Sequence, residues 1–205
     1  MYSQILTERT KSTLALLGKE EILKDCYLAG GPALALHLGH RLSFDLDFFT
    51  NVEFERKKII QQLEAFGLVV EKEDWGTILG KLGDIKFSLF YYKYPLVVDT
   101  VDYHGINIAS LQDIAAMKID AISSRGTKRD FTDLYFLVKK FENLSELFKF
   151  YDQKYKKLEA NRFHIIKSLT YFDDADKEEN PKMLVPDYSW EEIKKTLKEE
   201  VNKLI

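Results

Sequence analysis

The stretch LAGGPALALHLGHRLSFDLDFFT, running from Leu28 to Thr50, decides how the rest of the chain is read. It is built mostly of Leu, Ala and Phe, yet it sets Gly30 beside Gly31 and places Asp45 and Asp47 one residue apart. A carboxylate among apolar residues is costly to bury unless a cation compensates it. The segment CYLAG reads as a short strand ending on glycine, and GPALALHLG as a short helix. Pro32 suits the first turn of that helix, where a missing N–H costs nothing, and Gly39 suits its end. SFDLDFF alternates: Phe44, Leu46 and Phe48 face one side of a strand, and Asp45, Asp47 and Phe49 the other.

Asp45 and Asp47 then stand about 7 Å apart on one strand face. Two carboxylates that close repel each other unless a cation lies between them. Oxygen ligands of this kind suit Mg²⁺ or Mn²⁺, ions that also bind substrate phosphates. A Gly-Gly turn between strand and helix lets backbone N–H groups approach a phosphate. Taken singly, the pair of acids also describes a solvated strand face, and the glycines a plain turn. It is the order, strand, Gly-Gly, short helix, then Asp-x-Asp, that points to chemistry.

Outward from this stretch, residues 3–17 and 54–66 have helical spacing, and 68–73, 77–82 and 84–91 read as strands. LVVDTV and INIA complete a strand-rich half. At Ser110 the pattern turns helical, opening with a Ser-x-x-Asp pair; the helix after Gly126 opens with Thr-x-x-Asp. Further helices are expected at 144–157 and 161–172, an acidic loop with two prolines over 173–189, and a last helix capped by Ser189 and Glu192. The predicted organisation is a mixed α/β half, 1–109, followed by a helical half, 110–205.

A second group of candidate residues lies in MKIDAISSRGTKRDFTDLYFL. Lys118 and Arg125 are two helical turns apart and share a face, which offers a cationic surface for phosphates. Asp130 and Asp133 also share a face. The plain alternative is that Asp130 only caps its helix and Arg129 is solvated. His37 and His40 flank Gly39, a spacing that fits helix-end packing better than a metal site lacking a third ligand. The aromatic run FYYKYPL at 90–96 reads as strand core, with base stacking as the alternative.

Composition narrows the class. The chain has 205 residues, 45% of them hydrophobic and 31% charged, with a net charge of −3. That is ordinary globular usage and carries no whole-chain nucleic-acid signal. The single cysteine, Cys26, excludes an intramolecular disulfide and reads as a buried thiol. Neither a secretory signal nor a membrane-spanning run is present in this sequence, so a cytoplasmic location is expected.

The order Gly-Gly, helix, Asp-x-Asp resembles the polymerase-β-like nucleotidyltransferase superfamily. The fuller string, with Arg41, Ser43, Asp45, Asp47 and Phe48, resembles the AbiEii/MenT-like toxin nucleotidyltransferases of toxin–antitoxin and phage-defence (abortive infection) systems. Lys118, Ala121, Arg125, Arg129, Asp130 and Asp133 match that family's second motif. The resemblance covers residues 1–140. It implies an α+β fold: a polymerase-β-like mixed sheet with flanking helices, followed by a C-terminal helical bundle. It further implies transfer of a nucleoside monophosphate from an NTP to an acceptor hydroxyl such as the tRNA 3′ end, or another RNA, under control of a cognate antitoxin. Asp45 and Asp47 would hold Mg²⁺ or Mn²⁺. Gly30, Gly31, Ser43, Lys118, Arg125, Arg129 and Asp130 would meet the nucleotide, with Asp45, Asp47, Lys118 and Asp133 essential for activity. Pro32 departs from the family's usual Thr or Ser and removes one phosphate donor. Many relatives also carry a third carboxylate on a central strand, where DIKFSLF offers only Asp84, Lys86, Ser88 and Phe90. Either the base lies elsewhere, or Asp84 or Asp133 fills that role, or the reaction leans on the metals. The alternatives are a catalytically degenerate nucleotide-binding protein of the same fold and a partner-binding module with solvated carboxylates.

Overall fold

The alternation in the Asp-x-Asp stretch does make a strand, β2 (Leu46–Thr50), and its position explains the pattern. In the computed structural model, which describes residues 1–156 and 162–204, β2 is the central strand of a seven-stranded sheet. Its partners are β1 (Tyr27–Leu28), antiparallel, and β5 (Ile85–Tyr91), parallel. Outside β5 lie β4 (Thr77–Leu82) and β3 (Leu68–Asp74), both antiparallel to their neighbours; outside β1 lie β7 (Ile106–Ile108), parallel to β1, and β6 (Val101–Tyr103). An inner strand covered on both faces must be apolar on at least one, and Leu46, Phe48 and Thr50 are buried while Asp47 and Phe49 are half-buried.

The helices are α1 (Glu8–Leu17), α2 (Gly30–Leu38), α3 (Arg56–Glu64), α4 (Leu111–Ser124), α5 (Lys128–Phe141), α6 (Leu144–Tyr155), α7 (Arg162–Ser168) and α8 (Trp190–Asn202). All strands fall within residues 27–108 and α4 to α8 follow them, giving an α+β arrangement with a helical C-terminal region. One apolar core runs without a break from Ile5 to Val201. The caps read from sequence are formed: Ser110 Oγ accepts the Asp113 N–H at 3.0 Å, Thr127 Oγ1 the Asp130 N–H at 3.3 Å and Ser189 Oγ the Glu192 N–H at 3.3 Å.

Several expectations need correction. β2 begins at Leu46, so Phe44 and Asp45 stand ahead of it: Asp45 is not on the strand with Asp47, and Phe44 is 41% exposed instead of sharing the buried face. The first α-helix starts at Glu8, because Thr7 caps it by accepting the Thr10 N–H; Ser3–Ile5 is a separate 3-10 turn. LVVDTV is strand only from Val101 onward. The Val97 and Val98 N–H groups donate to the Asp113 carboxylate at 2.9–3.1 Å and are lost to any ladder. The acidic segment 173–189 contains a 3-10 turn, Ala175–Lys177, and a bridge from Met183 to Arg41. The ends of the helices expected at 144–157 and 161–172 touch residues outside those described.

Candidate active site

The two glycines are needed for what leans on them. Gly30 has φ +67°, and a Cβ there would lie 3.3 Å from Asp47 Oδ2. A Cβ on Gly31 would come within 2.4 Å of Arg41 Nη2 and 3.2 Å of Ser43 Oγ. The N-terminal turn of α2 is thus packed against Asp47, Arg41 and Ser43, and presents the N–H groups of Gly30 and Gly31; Pro32, third in the helix, presents none.

Arg41 holds this position because Asp133 holds it. Its guanidinium donates from Nε to Asp133 Oδ1 at 2.7 Å and from Nη2 to Oδ2 at 2.8 Å, a two-point fork. His40 Nε2 donates to Oδ1 at 2.8 Å, and Lys118 Nζ lies 2.6 Å from Oδ2. Lys118 also donates to Asp130 Oδ1 at 2.9 Å. Asp130 receives Arg125 through Nε at 2.8 Å and Nη2 at 3.1 Å, and Thr127 Oγ1 at 2.7 Å. Asp133 is sealed from solvent. Burial opposes its charge, but Arg41 and Lys118 outweigh burial and hold the carboxyl well below the usual carboxylate range. Asp130 is displaced the same way, with Lys118 and Arg125 overcoming burial.

Asp47 goes the other way. Burial, then repulsion from Asp45, push its carboxyl up; a hydrogen bond with Ser88 and the charges of Lys118 and Arg125 only partly offset this. Asp45 and Asp47 open onto a polar cavity of about 230 Å³, lined also by Gly31, Ser43, Arg125 and Arg129. Arg125 and Arg129 are exposed there, and Arg129 has no ion-pair partner among the described residues. A second cavity of about 210 Å³ adjoins it through Lys118 and Arg125; Phe49, Tyr92, Ile114 and Met117 make it mainly apolar. Tyr92 is fixed there by a 2.5 Å hydroxyl contact to Tyr155 and an edge-on contact to Phe49.

The sequence-derived candidates Gly30, Gly31, Ser43, Asp45, Asp47, Lys118, Arg125, Arg129 and Asp130 therefore all line these two adjoining cavities, while Asp133 lies behind them, against Lys118. The plain reading of Asp130 is half right: Thr127 caps α5 and Asp130 braces that cap, its carboxylate accepting from the Thr127 hydroxyl, but it also anchors Lys118 and Arg125. Ser88 is the register partner of Asp47 on β5, so serine occupies the place beside it. Asp84 precedes β5, pairs with Arg9 at 2.9 Å and is exposed, far from that place. His37 and His40 do not act together: His37 Nε2 lies 2.8 Å from the Ala109 carbonyl, His40 on Asp133. Cys26 is buried, and burial followed by Asp25 pushes its thiol up to about 12, which leaves it inert. The role of His40 and Arg41 as the clasp of Asp133 had no signal in local spacing. Among the described residues no helix is long and apolar enough to cross a membrane.

Comparison with known proteins shows the family. The family model described as nucleotidyl transferase AbiEii toxin, type IV toxin–antitoxin system, matches residues 14–101 and 91–203. An uncharacterized protein of Aquifex aeolicus (strain VF5) is 41% identical over 192 residues, covering 90% of each chain. Among solved structures, MenT4, a nucleotidyltransferase toxin from Mycobacterium tuberculosis H37Rv, is similar with a TM-score of 0.55 at 13% identity over 94% of this chain and 81% of that one. JHP933 from Helicobacter pylori gives 0.52 at 20% identity over 97% of both chains. The antibiotic-resistance factor ANT(2'')-Ia gives 0.52 at 14% identity over 69% of this chain and 90% of that one. At such identities these structures speak for the fold, and the family model and the 41% relative for kinship. The chain belongs to the AbiEii family of nucleotidyltransferase toxins.

Proposed function

We propose that the protein transfers a nucleoside monophosphate from an NTP to an acceptor hydroxyl, the 3′ end of tRNA being the expected acceptor, and that a cognate antitoxin restrains it in the cytoplasm. The observation that carries this is the contrast between two pairs of aspartates. Asp130 and Asp133 are neutralised by Lys118, Arg41 and Arg125, whereas Asp45 and Asp47 face an open cavity, and burial and Asp45 push the Asp47 carboxyl up. An unrelieved, all-oxygen pair beside exposed arginines fits a divalent cation with a phosphate. Among the described residues no group of three acidic, His or Cys side chains could hold a metal ion, so Asp45 and Asp47 would hold Mg²⁺ or Mn²⁺ together with the substrate's phosphate. When bound, the ion supplies charge neutralisation at the phosphate.

The chain's own residues do the rest. The Gly30 and Gly31 N–H groups and Ser43 hold phosphate oxygens at the start of α2. Arg125 and Arg129 neutralise the triphosphate. Lys118 has two of its three donors on Asp130 and Asp133 and keeps the third for phosphate. Asp133 is a positioning residue, acting through Arg41 and Lys118. Phe49, Tyr92 and Met117 take the nucleoside. The acceptor oxygen bonds to the α-phosphorus as the bond to pyrophosphate breaks, and the hydroxyl proton passes to water. On this reading residues 1–109 form the catalytic core and 110–205 complete the cleft.

Incubation with total tRNA, Mg²⁺ and each α-labelled NTP, alongside Asp47→Ala and Lys118→Ala, tests it. Label on RNA that both substitutions abolish is the expected result. Ser88 in place of a third acid, and Pro32, favour a second reading, nucleotide binding without turnover. NTP binding with no label on any RNA would select it.

A further inference from the structure

The acidic segment after α7 is stitched against the catalytic motif. The Leu42 N–H donates to the Lys182 carbonyl at 2.8 Å, and the Leu184 N–H to the His40 carbonyl at 2.9 Å. Its start is held by Lys128, whose backbone N–H donates to Glu178 Oε2 at 2.9 Å and whose ammonium meets the Glu178 carbonyl. Between this strap and β5 lies a cleft of about 470 Å³, lined by Ser43, Phe44, Asp45, Lys86, Arg129 and Lys182. Phe44, set between Ser43 and Asp45, turns its ring into the open, with the Lys182 ammonium 5.9 Å from the ring centre. Lys86 is two residues before Ser88 on β5, hence on the face that carries Asp47's neighbour. Lys86, Arg129 and Lys182 have no carboxylate partner among the described residues. The acids on the cleft are Asp45, Glu179 and Glu178, the last engaged by Lys128.

We infer that this cleft holds the acceptor, the free 3′ end of a single-stranded RNA, with its terminal base on Phe44 and its phosphates between Lys86 and Lys182, Arg129 staying with the triphosphate on the shared wall. The inference rests on the proposed transferase activity. An exposed ring beside unneutralised cations is how a strand is held without sequence readout. The phosphate cavity shares Lys118 and Arg125 with the nucleoside pocket, but Ser43, Asp45 and Arg129 with this cleft. The two flank it, so a hydroxyl brought in here approaches from a side the nucleotide leaves free. A polycationic acceptor would meet three like charges instead.

The test is fluorescence anisotropy of a short 5′-labelled single-stranded RNA with a free 3′ hydroxyl, without NTP, across a salt series. In parallel, the rise in melting temperature with Mg²⁺ and NTP reads the nucleotide site. Phe44→Ala should weaken RNA binding on the order of tenfold, and Phe44→Trp should restore it. Lys86→Ala with Lys182→Ala should flatten the slope of log affinity against log salt by about 0.7 for each lysine removed. All variants should keep the NTP response. RNA binding equal to wild type in Phe44→Ala and in the double lysine variant would overturn the inference, as would wild-type protein that binds no RNA. Loss of the NTP response in Phe44→Ala would also overturn it, by making the cleft part of the nucleotide site. A wild-type protein with no NTP response would remove the transferase reading itself, and is seen in the separate titration.

Discussion

Asp133→Ala and Asp47→Asn should pull folding and chemistry apart. Asp133 is 0% exposed and accepts from Arg41 at 2.7 and 2.8 Å, from His40 at 2.8 Å and from Lys118 at 2.6 Å. Its removal leaves Lys118 with Asp130, but strands Arg41, 3% exposed, with only the Leu42 carbonyl at 3.0 Å. Breaking a buried pair by deleting one partner costs about 3–5 kcal/mol, much of it the penalty of the orphaned charge. For a chain of this size each kcal/mol moves the melting temperature by about 2–4 °C, so a fall of roughly 6–20 °C is expected. Adding Arg41→Met should recover part of that loss, because it removes the stranded cation. Asp47→Asn should leave the melting temperature unchanged or raise it, since burial and Asp45 both disfavour that charge, while activity disappears. Thermal unfolding followed by circular dichroism at neutral pH, without added metal, reads both. A melting temperature for Asp133→Ala within about 2 °C of wild type would refute the clasp. A fall in Asp47→Asn as large as that in Asp133→Ala would refute the division between a structural and a functional carboxylate.

Mg²⁺ should raise the melting temperature of the wild-type protein by mass action, EDTA should reverse the rise, and Asp47→Asn should not respond. Gly31→Ala should lower stability by about 1–3 kcal/mol in urea and abolish the NTP response, because the new methyl meets Arg41, which the Asp133 fork prevents from yielding. Lys154→Met should cost about 3 kcal/mol or more in chemical denaturation, since Lys154 pairs at 2.7 Å with Asp113 and both are wholly buried. Burial holds the His37 imidazole below its usual value, so the unfolded chain takes up a proton near pH 6.5 that the folded one refuses until lower pH. Stability should therefore decline as pH drops below about 6.5, and His37→Asn should flatten that limb in a melting-temperature profile.

The parts of the molecule readable in the sequence are those fixed by neighbours. The period of Leu46, Asp47, Phe48 and Phe49 gives β2, and the Ser110 and Thr127 caps give the starts of α4 and α5. Asp45 and Asp47 were read as two residues of one strand face, but Asp45 stands just ahead of β2, and it is the shared cavity that brings the two together. What joins Asp133 to Arg41 and His40 is a chain separation of 92 and 93 residues, and no local period encodes such a meeting. For the same reason Asp113 looked like a cap alone, while it also binds Lys154 and takes the Val97 and Val98 N–H groups that a strand would have used. Phe44 was misplaced because alternation carries no marker of where a strand begins. The segment 173–189 read as a loop from its charge and prolines, yet its backbone pairing with residues 40–42 makes it a wall of the cleft.

The clasp between Arg41 and Asp133 also sets when the site comes into being. Chains are made from the N-terminus, so the residues of the Asp-x-Asp stretch exist before those that anchor them. Gly30 to Asp47 leave the ribosome well ahead of Asp133, and ahead of the strap that flanks them. Until α5 arrives Arg41 has no anion to fork onto, and nothing fixes it against Gly31 and Ser43. A chain cut short before α5 thus carries the complete Asp-x-Asp signature without the carboxylate that fixes Arg41 behind it.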